Sequence, residues 1–150
     1  MTELSAATTG LPDPQAQPEF YDDVMLKRFL AWVVDSALVW GLWLVLSVLT
    51  LGILIWLLPF FAVLDFVYRT ATLSRRSATW GMRLVGIELR DRRGEPLDGG
   101  QALAHTAGYM FSMVTFFPVQ VASIVTMAAT ERRQSLTDMV LGTAALNRRA

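Results

Sequence analysis

Arg28 and Asp35 stand seven residues apart in the apolar run Lys27-Arg28-Phe29-Leu30-Ala31-Trp32-Val33-Val34-Asp35. On a helix they share one face, ~10.5 Å apart along the axis. An unpaired carboxylate in hydrocarbon costs at least ~2.5–3.5 kcal/mol. Asp35 must therefore be shielded by partners, neutralised, or employed. Asp65 and Arg69 follow at i,i+4 spacing with the acid first, the favourable order. A turn near Leu51 and Gly52 sets Asp35 opposite Tyr68 and Arg69, with Asp65 near the level of Leu38. The spacing predicts one buried polar cluster of Arg28, Asp35, Asp65 and Arg69. Such a cluster could handle protons or cations, or it could be a balanced ion-pair network that fixes how two helices pack.

Two further side chains complete the chemically interesting set. His105 is the only histidine and heads a long apolar region. Imidazole changes charge near physiological pH, though such a residue also serves as an interfacial hydrogen-bonder. Asp138 follows Ser135 in the pattern that closes a helix start, so its carboxylate has a structural role as a cap.

Metal and cofactor chemistry find little here. With no cysteine and one histidine, a zinc or copper site of the usual kind is not expected. A phosphate-binding loop, a G-x-G-x-x-G and a G-x-S-x-G are all missing from the sequence. No enzyme activity and no cofactor are expected.

Of the 150 residues, 53% are hydrophobic and 17% charged, with a mean hydropathy of +0.41. Soluble domains carry ~25% charged residues. Net charge is zero, yet no Lys or Arg lies between 29 and 68 or between 94 and 131. Basic clusters that flank apolar runs are a membrane-topology signal and not a nucleic-acid groove. They place the N-terminus in the cytoplasm and the chain in the cell membrane. The arginines between 69 and 93 are candidates for contact with anionic lipid head groups.

These charges bound the elements that must carry the site. Residues 1–23 read as a disordered, acidic cytoplasmic tail. Residues 28–50 are long enough to span a bilayer, with Trp32 and Trp43 suited to its interfaces. After a turn at Thr50-Leu51-Gly52, the run Ile53 to Tyr68 is bent by Pro59 and completes a transmembrane helical hairpin. Thr79-Trp80-Gly81 reads as a turn. Val85, Ile87 and Leu89 then share one face of a short strand, for which Thr143–Asn147 is the candidate partner. Asp91–Pro96 is a turn. The third apolar region, 101–130, either crosses once or breaks at Pro118 into two short helices and returns. The charge distribution favours the return. The fold class is thus all-α, a polytopic integral membrane protein with a small interfacial β element. Residues 24–147 form its one transmembrane domain, and 148–150 a basic end.

Three boxes in this order, Arg28 with Asp35, Thr79-Trp80-Gly81-Met82-Arg83-Leu84-Val85-Gly86, and Arg133-Gln134-Ser135-Leu136-Thr137-Asp138-Met139-Val140-Leu141-Gly142-Thr143, resemble the RDD family of small membrane proteins. That family is named for one arginine and two aspartates. The resemblance maps these onto Arg28, Asp35 and Asp138. It also marks two departures: His105 stands where the family often has an arginine, and Thr137 where a histidine usually precedes the second aspartate. What it implies for function is transport, with some members linked to sodium/proton exchange. A single hairpin is too small to enclose a path, so transport of H⁺ or Na⁺ would need a homo-oligomer. The alternative is a non-catalytic accessory or scaffold subunit of a membrane complex. In both readings Asp138 docks near Arg28, and all three named residues meet at one depth.

Overall fold

The computed structural model describes residues 9–115 and 117–148. The first eight residues of the expected tail and the last two of the basic end lie outside that range.

The described residues are mostly helical, with one two-stranded sheet among them. Helix α1 (Val24–Leu49) is long and apolar. Together with the short helical turn before it, it is the one stretch among the described residues long and apolar enough to cross a bilayer. It ends where Leu51 and Gly52 take positive φ, as the expected turn requires. The second run does not bend at Pro59. Residues Ile53–Trp56 form a 3₁₀ turn, and α2 (Leu58–Arg76) starts afresh with Pro59 in its first turn. There the missing N–H is no loss. The hairpin forms, but its second arm is not apolar enough along its length to count as a span by composition. Trp43 is also not an interfacial ring: it is only 6% exposed and packs edge-on against Trp40 and Phe61 between the two arms.

A short helix α3 (Trp80–Leu84) replaces the expected turn, with Thr79 as its cap. Strand β1 (Ile87–Arg90) then pairs antiparallel with β2 (Ala144–Asn147), Leu89 opposite Ala145. That is the pairing the sequence predicts. Between the strands, α4 (Gly99–Val114) opens on a capping box of Asp98 with Gln101. Helix α5 (Phe117–Ala129) is separate from it and carries Pro118 in its first turn. A short helix, α6 (Leu136–Leu141), precedes β2. The region 101–130 therefore breaks and returns to the sheet end.

Period-two alternation sends opposite faces of the sheet into two clusters. Ile87, Leu89 and Ala145 pack with Val24, Leu73, Leu97 and Ala102. Ala144 and Leu146 face the other way, onto Leu11 and Tyr21. This corrects the reading of 1–23 as a free tail. Residues from Leu11 onward cover a sheet face that would otherwise be bare, and the Gly10 N–H bonds the Arg92 carbonyl at 2.8 Å.

Candidate functional site

The expected single cluster is two clusters. Arg28 does not meet Asp35; two helical turns of α1 keep them apart, and each finds partners from a different part of the chain.

The first cluster surrounds Asp138, whose side chain is wholly buried on α6. Its Oδ2 lies 2.7 Å from Arg28 Nη1 on α1. The same oxygen accepts from the Ser135 N–H at 3.0 Å and the Ser135 hydroxyl at 2.7 Å. Oδ1 accepts from Thr143 Oγ1 at 2.8 Å and sits 2.9 Å from His105 Nε2 on α4. Burial would raise this carboxyl's pKa, but the Arg28 charge, His105 and Ser135 together hold it well below the usual carboxylate range. Asp138 so joins three helices and the start of β2, which exceeds the capping role that the spacing alone indicates.

The second cluster surrounds Asp35, 1% exposed. Oδ1 accepts from Tyr68 Oη at 2.6 Å and from the Gly81 N–H at 2.8 Å. Oδ2 accepts from Thr79 Oγ1 at 2.6 Å and has Arg69 Nη1 at 3.7 Å. Arg69 also binds Asp65 through Nε at 2.9 Å, so it bridges both acids, and it lies 4.3 Å over the Tyr109 ring. The depth argument thus places Tyr68 and Arg69 correctly.

Thr79 and Gly81 are the residues that reading by charge misses. Asp35 sits at the start of α3, where unpaired N–H groups favour an anion. The close approach demands glycine: a Cβ at position 81 would fall 2.2 Å from the Ala31 carbonyl oxygen. A threonine before Trp80-Gly81-Met82 is a helix-start signal that could have revealed this.

Between α1 and the α4–α5 pair lies a cleft of about 940 Å³. Arg28, Asp35, Arg69, His105 and Tyr109 reach its wall, so both clusters border it.

The RDD family model matches residues 24–142, most of the chain and all three named positions. The chain belongs to the RDD family. No curated protein and no solved structure matches it. As an RDD protein with, among the described residues, one helix long and apolar enough to span a bilayer, it is a membrane protein. The RDD arginine and second aspartate form a direct pair; the first aspartate belongs to a different network. At Thr137 the side chain fills the space beside Gly108. A Cβ on that glycine would come within 2.6 Å of it. His105 contacts the second aspartate directly.

Proposed function

We propose that this RDD protein is a non-catalytic scaffold or accessory subunit of a complex in the cell membrane. One observation carries the reading: both oxygens of Asp35 and both of Asp138 are engaged by fixed partners. A carboxylate that loads and releases cations would have to give up such partners in every cycle. These act instead as latches that tie α1 to α3 and to α6. Breaking a buried charged pair is strongly destabilising, which suits a latch better than a carrier.

In this proposal the chain crosses the membrane more than once. The two-helix hairpin spans, and α4 with α5 enters and returns. The end bearing Lys27, Arg75, Arg90 and Arg132 faces the cytoplasm by the positive-inside rule, together with the N-terminus. Unpaired Arg75 and Arg76, among the described residues, supply contact with anionic head groups there.

Affinity purification in mild detergent should bring down a stoichiometric partner. A monodisperse, folded monomer without one would remove the scaffold reading.

A second reading, H⁺ or Na⁺ transport by a homo-oligomer, draws on His105 beside Asp138 at the wall of the cleft. Cation-driven pH change in proteoliposomes separates the two. The scaffold predicts no signal. A wild-type signal abolished in Asp35→Asn would establish the transporter.

A further inference from the structure

Helix α3 has two faces. Gly81 is buried against α1, and Met82 and the following Val85 pack on the core cluster of Val24, Leu73 and Ile87. Trp80 and Leu84 share the opposite side at i,i+4 spacing and are 52% and 72% exposed. The Arg83 guanidinium lies 4.6 Å over the Trp80 ring and meets no carboxylate among the described residues.

Two independent contacts fix the depth of that outer face. The Gly81 N–H bonds Asp35, and a Cβ at position 81 would meet the Ala31 carbonyl, so α3 crosses α1 between Ala31 and Asp35. Lys27, whose Nζ is tied to Asn147 on the sheet, marks the charged end of α1. The crossing lies ~6–12 Å inward from it along the axis. The chain also doubles back after Ser77, at φ 53°, so that the Trp80 N–H reaches the Tyr68 hydroxyl at 3.2 Å. Tyr68 stands ~12 Å inward from Arg76, the last residue of α2. Both arms of the hairpin therefore give the same depth. It is a level at which the hairpin itself exposes apolar side chains, Leu38 on α1 and Val67 on α2.

Two apolar side chains fall far short of the ~20–30 residues that each side of a stable protein interface supplies. An indole, a leucine and an unpaired guanidinium within one helical turn match instead the boundary between headgroup and acyl chain. Tryptophan rings settle there, and a cation finds phosphate. Every phospholipid carries that phosphate, so no excess of positive charge on the protein is required.

We propose that α3 is an interfacial anchor seated on the lipid surface. Trp80 and Leu84 enter the lipid, Arg83 meets a phosphate, and this hold keeps Thr79 and Gly81 on Asp35. The proposal rests on the spanning hairpin described above and stands under either the scaffold or the transport reading.

The chain has no cysteine, so a single nitroxide spin label can be placed on it. Full-length Leu84→Cys, Val67→Cys and Arg93→Cys are labelled and reconstituted in phosphatidylcholine nanodiscs. Collision with oxygen, which concentrates in lipid, is compared with collision with a water-soluble nickel chelate. Arg93, with an 81% exposed side chain, is the water reference, and Val67 the lipid reference. The label at 84 should favour oxygen over nickel several-fold more than the label at 93, as the label at 67 does. A label at 84 that behaves like the one at 93 would overturn the proposal. So would one shielded from both reagents, which would assign the face to a protein partner. Water exposure at 67 as well as 84 would remove the spanning hairpin itself. The variant Leu84→Asp then tests the hold. Leu84 touches little protein, so packing within the chain alone predicts unchanged hydrogen exchange at the Gly81 amide. Loss of the lipid hold should speed that exchange several-fold while the Leu89 amide, bonded to the Ser77 carbonyl, keeps its wild-type rate. Unchanged exchange at Gly81 would overturn the anchor.

Discussion

Arg28 and Asp138, near opposite ends of the chain, form a 2.7 Å ion pair that fastens the terminal helix α6 to the base of α1. Because Asp138 also receives His105 and Thr143, a single carboxylate organises α1, α4, α6 and the entry to β2.

Removing one partner from such a pair leaves the other charge stranded. Asp138→Asn should destabilise the fold by about 3–5 kcal/mol, read as a lowered midpoint in a denaturing-detergent titration. The double variant Arg28→Met with Asp138→Leu should recover part of that loss. Purely additive losses would show that the two side chains are not coupled.

Acid should weaken the same latch. The folded Asp138 carboxyl is held below its unfolded value of ~3.9. A depressed pKa contributes stability that is complete above the unfolded value and is lost as pH falls through the folded one. Unfolding midpoints should thus decline once pH drops below about 4. In Arg28→Gln, where the main charge holding the carboxyl down is gone, the decline should be shallower.

Gly81 sets the distance between α3 and α1. In Gly81→Ala the new Cβ meets the Ala31 carbonyl oxygen at 2.2 Å and Asp35 Oδ1 at 2.9 Å. Backbone oxygen cannot swing away, so α3 must lift off Asp35. A loss of about 1–3 kcal/mol is expected, with faster hydrogen exchange at the Gly81 amide. Wild-type exchange in this variant would mean that the amide's bond to Asp35 is not what anchors α3.

Leu11 and Tyr21 cover the outer face of the sheet. Leu11→Ala should cost about 2–5 kcal/mol and raise hydrogen exchange across Ala144–Asn147. If exchange there is unaffected, residues 9–23 do not hold the sheet.

The returning path of α4 and α5 makes a topological prediction. Cysteines placed singly by Glu95→Cys and Glu131→Cys, both exposed at the sheet end, should react with an impermeant thiol reagent from the same side. Ile55→Cys, half exposed beyond the end of α1, should react from the other. Labelling of positions 95 and 131 from opposite sides would require a single crossing between them.

Much of this architecture was legible in residue order. The helical hairpin, its turn at Leu51 and Gly52, the break before Pro118 and the β1–β2 pairing all follow from local rules: hydropathy, turn chemistry and period-two alternation. The Asp65–Arg69 pair and the Ser135–Asp138 box were equally plain, because each lies within one helical turn. Long-range partner choice was not. Charge alone grouped Arg28 with Asp35, since both lie on one face of α1. That logic cannot see that Thr79, Tyr68 and a backbone N–H at Gly81 would satisfy Asp35 first. Nor does an acidic, proline-containing tail announce that two apolar side chains within it will cover a sheet face.

By itself, then, the order of residues determined that the chain is built of long apolar helices joined at a turn near Leu51 and Gly52, and that Asp35 must be shielded by partners. Tertiary structure decided how the ionic groups pair. Burial penalises any charge without a partner, but several partners can satisfy it, and only the packing of α3 and α6 against α1 brings particular donors within about 3 Å of each carboxylate.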